Sequence, residues 1–155
     1  MPRGATSSRA EALTLRLARS DEREALEDLQ RRASLALPDY REQLLAHPDA
    51  IALPAACIDR GEVIVAERGG AIAGFAIVQR HDGFTELDGL FVEPDSWGRG
   101  IGFALVNESL HEARRVGHAL MVIAAPGAQD FYLKCGFSIE GEAETRFGPA
   151  IRMSR

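Results

Sequence analysis

The stretch Leu90-Phe91-Val92-Glu93-Pro94-Asp95-Ser96-Trp97-Gly98-Arg99-Gly100-Ile101-Gly102-Phe103-Ala104-Leu105 decides how this chain reads. An apolar strand end runs through a short loop into glycines, and these open an amphipathic helix carrying Leu105, Val106, Leu110 and Ala113. Glycines at 98, 100 and 102 leave backbone N–H groups uncovered by side chains, at the positive end of a helix dipole. That is a recipe for holding a phosphate or pyrophosphate without a dedicated cationic pocket. Two familiar phosphate loops are excluded. A Walker loop ends in Gly-Lys-Ser/Thr, whereas Gly102 is followed by Phe103 and Ala104. A dinucleotide fingerprint needs a third glycine at the sixth position, which is Phe103 counting from Gly98 and Leu105 counting from Gly100.

Outward from this loop, helix and strand patterns alternate. On the N-terminal side, Leu13–Ala18 alternates like a strand, and Ser20 is placed to cap a helix through about Leu35, with Leu26 and Leu29 on one face. Pro38 starts a second helix, Asp39 to Ala46, that His47-Pro48 ends. Ile51–Asp59 reads as a loop. Glu62–Glu67 and Ala71–Gln79 are apolar runs joined by Arg68-Gly69-Gly70, a hairpin signal, and Phe84–Val92 is a third strand. On the C-terminal side, Gly117 stops the helix, Leu120–Ala124 reads as a buried parallel strand, and Ala128–Cys135 as a helix stopped by Gly136. Phe137–Ile139 and Arg146–Met153 complete the order β-α-α-β-β-β-α-β-α-β-β.

Composition sets the outer bounds. The 155 residues fit one domain over 13–155, with the polar start, residues 1–12, reading as a disordered leader. Hydrophobic residues make up 46% of the chain, yet no apolar run approaches a membrane span. A net charge of −5 argues against nucleic acid as a partner. Cys57 and Cys135 lie far apart with no disulfide framework, which suits a reducing cytoplasm. His47, His81, His111 and His118 show no metal spacing, so no metal is expected.

The glycine loop resembles the acetyl-CoA-binding motif Gln/Arg-x-x-Gly-x-Gly/Ala of the GNAT N-acetyltransferase superfamily. Gly100 and Gly102 take the two glycine positions, and Trp97 stands where the family has Gln or Arg. A later stretch, Ala128-Gln129-Asp130-Phe131-Tyr132-Leu133-Lys134-Cys135-Gly136-Phe137, is similar to the family's Asn-x-x-Ala-x-x-Phe-Tyr-x-x-x-Gly-Phe. Its Asn position is Ala125, so a family contact to the pantetheine arm or acceptor is missing. The resemblance runs from Glu62 to Phe137. It implies a GNAT-like α/β (α+β) fold: a mixed, largely antiparallel sheet of six to seven strands, about four flanking helices, and a splay at the strand ending near Val92.

The resemblance also implies roles. Backbone N–H groups of Trp97, Gly98, Arg99, Gly100, Ile101, Gly102 and Phe103 would surround the pyrophosphate of acetyl-CoA. The Arg99 side chain either adds a charge-assisted contact or stays solvated. The edge Leu90, Phe91, Val92 would bond the pantetheine arm like an added strand, with an N–H near Phe91 polarising the thioester oxygen. Gly89 is where a bulge would be tolerated and would open the slot. Tyr132, one helical step from a core Phe131, is the candidate acid for the leaving thiolate. Glu86, fourteen residues before Gly100, and Asp88, on the same strand face unless a bulge intervenes, are the candidate bases, with water alone as the alternative. Cys135, on the Tyr132 helix, reads as core packing. The acceptor, a primary amine on a small molecule or peptide, would meet the helix pair Asp21–Ala46 and the final hairpin, where Asp39, Tyr40, Arg146 and Phe147 form no discriminating pattern. The implied activity is a cytoplasmic N-acetyltransferase working in a ternary complex, with no membrane partner and room for a homodimer. A non-catalytic acyl-CoA-sensing module and an interaction protein remain the alternatives.

Overall fold

A two-residue hairpin turn needs consecutive residues in the left-handed region, and Gly69 and Gly70 supply them at φ 57° and 78°. Val63–Arg68 and Ala71–Arg80 accordingly pair antiparallel. The computed structural model describes residues 12–155, so all of the expected leader except Ala12 lies outside the described residues. In chain order it has β1 (Leu13–Leu17), α1 (Arg23–Ala36), α2 (Arg41–Ala46), α3 (Ala55–Asp59), β2 (Val63–Arg68), β3 (Ala71–Arg80) and β4 (Thr85–Val92). There follow α4 (Ile101–Arg115), β5 (Leu120–Ala124), α5 (Gln129–Lys134), β6 (Ser138–Thr145) and β7 (Gly148–Ser154). The seven strands form one sheet in the order β1-β2-β3-β4-β5-β7-β6, antiparallel throughout except for the β4–β5 pair. Among the described residues no helix is long and apolar enough to cross a membrane.

Several local expectations need correction. There are five α-helices among the described residues rather than about four, because Ile51–Asp59 contains α3. This segment is anchored by burial of Ile51, Leu53, Cys57 and Ile58, and Leu53 N–H donates to Glu27 Oε2 at 2.9 Å. Ser20 caps no α-helix. It opens a 3₁₀ turn, and Glu22 accepts the Arg19 N–H at 2.8 Å before α1 begins. Helix α2 starts at Arg41, not Asp39, because Tyr40 sits at φ 60° and breaks the helical run. The last two strands meet at a turn through Arg146 and Phe147, so β6 is longer than Phe137–Ile139 and these two residues belong to no strand.

Each face of the sheet carries its own core. Helix α1 turns Leu26, Leu29 and Ala33 inward, spaced for one helical stripe, against Val63, Val65, Phe75 and Ile77. On the opposite face α4 buries Ile101, Leu105, Val106, Leu110 and Ala113 with Leu87, Leu120, Val122 and Met153. The sheet opens along β4. In its pairing with β3, Ile77 meets Gly89 and Val78 meets Leu87, so Asp88 is left over as a bulge, one residue before the expected Gly89. Toward β5 only Thr85, Glu86 and Leu87 are paired. Beyond Leu87 the two strands part, which places the splay ahead of Val92.

One ion cluster ties β1 to the start of α1. Arg16 donates to Glu22 through two nitrogens at 2.9 and 2.8 Å and to Glu67 at 2.8 Å. The Arg16 hydrogen bonds hold the Glu22 carboxyl down to about 2. A carboxyl held low stabilises the fold above its ordinary value and loses that contribution as pH falls through the depressed one. Glu22→Gln is therefore expected to cost about 1 kcal/mol at neutral pH, after allowance for solvent screening, and little near pH 2. Denaturant unfolding at the two pH values measures this difference.

Candidate active site

The glycine loop builds a row of free donors. Gly98 and Gly100 sit at φ 76° and 81°, with open space where a Cβ would lie, so backbone conformation alone demands glycine there. The first helical bond of α4 runs from Ala104 N–H to the Gly100 carbonyl at 3.0 Å. Among the described residues, the N–H groups of Gly98, Arg99, Gly100, Ile101, Gly102 and Phe103 have no protein acceptor. Such orphan donors at a helix start suit an anion. Trp97 differs from its neighbours. Its backbone N–H is engaged by the Pro94 carbonyl at 3.3 Å, and its half-exposed indole donates to the Val92 carbonyl at 2.9 Å. At Gly102 a Cβ would stand 3.1 Å from Cζ of Phe131, a tight contact to which the ring would have to yield.

All of these donor residues except Arg99 line a cavity of about 640 Å³ in the gap where β4 leaves β5. Leu90, Phe91 and Val92 form one wall; Ala125, Gly127, Ala128, Phe131 and Tyr132 form the other. The end of α1 and the loop after it, through Ala33, Ser34, Leu37 and Asp39, complete the lining. Of the expected donor-site residues, only Arg99 is absent from the lining. The volume falls within the range of small-molecule sites. The contribution of Ala33, Ser34, Leu37 and Gly127 carried no local signal, since it depends on segments far apart in sequence.

Tyr132 is buried and packs edge-on against Phe131 and Phe137, at ring distances of 5.1 and 5.4 Å. Burial pushes its phenol well above the ordinary value, so it remains protonated at physiological pH. The phenol makes no hydrogen bond among the described residues. Phe131, expected as the core residue of the pair, is instead the less buried and braces Gly102. Cys135 is buried, as expected of a packing residue.

Glu86 and Asp88 do not line the cavity. Glu86 bonds His81 at 2.9 Å, near the far end of β4. Five residues of strand separate it from Phe91, about 16 Å. Asp88 occupies the bulge and is exposed, with its carboxyl raised by partial burial and by the nearby Glu86 charge. Three of the four acceptor-side residues brace the walls. Tyr40 donates its hydroxyl to the Pro149 carbonyl at 2.6 Å. Arg146 lies 4.9 Å over the Phe147 ring and pairs with Asp49 at 3.4 Å, while Phe147 stacks on His47 at 5.8 Å. Asp39 alone of the four reaches the cavity, and its Oδ2 accepts the Gly127 N–H at 3.1 Å. No three His, Cys, Asp or Glu residues among those described come together as a metal-holding group.

The family model of the acetyltransferase (GNAT) family matches residues 24–137, well over half of the chain. The chain belongs to the GNAT family. Solved structures agree in fold with this GNAT chain. PaiA N-acetyltransferase from Thermoplasma acidophilum, crystallised in complex with coenzyme A, superposes with a TM-score of 0.76 at 18% identity, covering 93% of this chain and 98% of that one. A GCN5-related N-acetyltransferase from Rhodopseudomonas palustris gives 0.73 at 19% identity, covering 94% and 95%. Among curated relatives, an uncharacterized N-acetyltransferase of Methanocaldococcus jannaschii is 38% identical over 57 residues. That match takes in 34% of this chain and 25% of the relative's length. The splayed seven-stranded sheet is thus the GNAT fold that the two motifs implied.

Proposed function

We propose that this GNAT chain transfers an acetyl group from acetyl-CoA to a primary amine of a small molecule or peptide, directly, in a ternary complex. One observation carries the reading: five residues with unpartnered N–H groups, Gly98, Gly100, Ile101, Gly102 and Phe103, line the same cavity as the buried Tyr132. That CoA is seen bound to PaiA supports the choice of donor. Acetyl-CoA supplies the activated acyl group. The Gly98–Phe103 donors would hold its pyrophosphate, and the exposed edge of Leu90–Val92 its pantetheine arm. The Phe91 N–H is the candidate to polarise the thioester oxygen, where a single positioned donor contributes about 10²–10³ in rate. The acceptor ammonium loses two protons overall as its nitrogen forms the C–N bond and the C–S bond breaks. One proton ends on the thiolate, delivered by Tyr132, and the other passes to solvent. Glu86 and Asp88 lie outside the cavity lining, so a base role for either would run through a water relay. The free, buried Cys57 and Cys135 support a reducing, cytoplasmic setting.

The test is thiol release from acetyl-CoA across polyamines, amino acids, aminoglycosides and peptide N-termini. Amine-dependent release is the expected result. The single tryptophan lies at the cavity, so titration with acetyl-CoA is expected to change its fluorescence. A fluorescence change with no thiol release from any amine would replace the transferase reading with an acyl-CoA sensor.

A further inference from the structure

We infer that Asp39 selects the acceptor, favouring an amine whose cationic nitrogen sits on an uncharged, largely apolar body. The inference rests on the transferase reading above and concerns the part of the cavity that the donor leaves over. Once the glycine loop and the β4 edge are assigned to acetyl-CoA, the remaining lining is Ala33, Ser34, Leu37 and Asp39 on one side and the wall from Ala125 to Tyr132 on the other. Asp39 is the one charged side chain among all the described lining residues, acidic or basic. The acidic groups nearest to it in function, Glu86 and Asp88, lie outside the cavity. Arg32 and Glu93, which lie close to the rim in sequence, are joined to each other by paired bonds of 2.8 Å and leave no net charge there.

The carboxylate is also fixed in place. Its Oδ2 takes the Gly127 N–H, and a side chain at position 127 would collide with that oxygen, so glycine is required for the contact. Tyr40 holds the next link of the loop to Pro149, and Arg41 returns its guanidinium to the Leu35 carbonyl. Oδ1 has no hydrogen-bond partner among the described residues. An aspartate anchored by one oxygen and free at the other, in a wall otherwise of small and apolar groups, suits a single ammonium. A charge-assisted bond of this kind is roughly twice as strong as a neutral one. The same carboxylate would repel an acceptor bearing its own carboxylate, which is how a site rejects the wrong substrate.

The pair 2-phenylethylamine and phenylalanine, differing by one carboxylate, tests this with full-length protein and acetyl-CoA. The wild type is expected to favour 2-phenylethylamine by about tenfold or more in kcat/KM. Asp39→Asn keeps an oxygen for Gly127 and loses the charge. It is expected to raise KM for 2-phenylethylamine about tenfold, leave kcat within about threefold, and narrow the preference against phenylalanine. Acetyl-CoA affinity, read from Trp97 fluorescence, is expected to hold and reports that the variant is folded. Asp39→Glu, with the charge restored one methylene away, is expected to recover part of the preference. Unchanged KM and unchanged preference in Asp39→Asn, with acetyl-CoA binding intact, would overturn the assignment. So would a wild type that binds acetyl-CoA and prefers phenylalanine. Failure of the wild type to bind acetyl-CoA at all would instead overturn the transferase reading, and this assignment with it.

Discussion

Tyr132→Phe is expected to lower kcat for acetyl transfer by about a hundredfold while leaving acetyl-CoA affinity within about threefold, since a positioned acid is typically worth 10²–10⁴ in rate. The substitution removes one oxygen and keeps the ring that packs edge-on against Phe131 and Phe137, so the wall should keep its shape. Rapid-quench or thiol-release kinetics with a competent amine measure it. Desolvation makes a second, independent signature. With the phenol pushed well above its ordinary value, Tyr132 stays protonated throughout the working range. Wild-type kcat is therefore expected to show no alkaline loss from this residue below about pH 10, the point at which an exposed phenol would titrate. Equal kcat for wild type and Tyr132→Phe would remove Tyr132 from the chemistry and leave it a packing residue.

The second large effect belongs to Gly100. At φ 81° an alanine pays about 1–2 kcal/mol for its Cβ, and relief of that strain would turn the unpartnered N–H groups of the cavity's glycine loop. Gly100→Ala is expected to weaken acetyl-CoA binding at least about tenfold, since each tenfold is 1.4 kcal/mol. Gly117→Ala is the matched control. Gly117 lies past the other end of α4 at φ 73°, also with open space around a Cβ. Comparable strain there is expected to lower stability without changing acetyl-CoA affinity. Paired titrations and melts separate the two. A Gly117→Ala variant that lost affinity as fully as Gly100→Ala would show that general destabilisation, not the N–H row, governs binding.

What was legible in the chain depended on how local its cause was. The Gly98–Gly102 loop, the Gly69-Gly70 turn and the stop at Gly117 each follow from the φ of single residues, and all three stand where the sequence put them. The parallel β5 was readable because Leu120–Ala124 is apolar throughout. Edge strand β6 was underread for the opposite reason. Its run Ile139-Glu140-Gly141-Glu142-Ala143-Glu144 is largely exposed, so no apolar face marks its length. Helix α3 is five residues long, too short for a period to register, and is held by the burial of Cys57 and Ile58. The start of α2 moved two residues from expectation because Tyr40 at φ 60° breaks the helix, and the bulge moved one residue because the register against β3, not side-chain pattern, sets it. The place of Asp39 in the cavity depends on a bond to Gly127, eighty-eight positions away, and nothing near either residue announces it.

The three rungs that join β4 to β5 have a consequence for how the cleft can change. They are a short weld between two plates, and one apolar core under α4 runs across it, from Ile64 and Ala76 on one side to Val122 and Met153 on the other. The width of the opening is then set by where the weld stops, at Leu87 and Val122, rather than by any residue that a ligand would touch. Selection acting on those few rungs, or on the side chains behind them, can resize the opening while the glycine loop stays as it is. Acceptor range in a chain built this way is adjustable from behind, at positions that a comparison of cleft-lining residues alone would pass over.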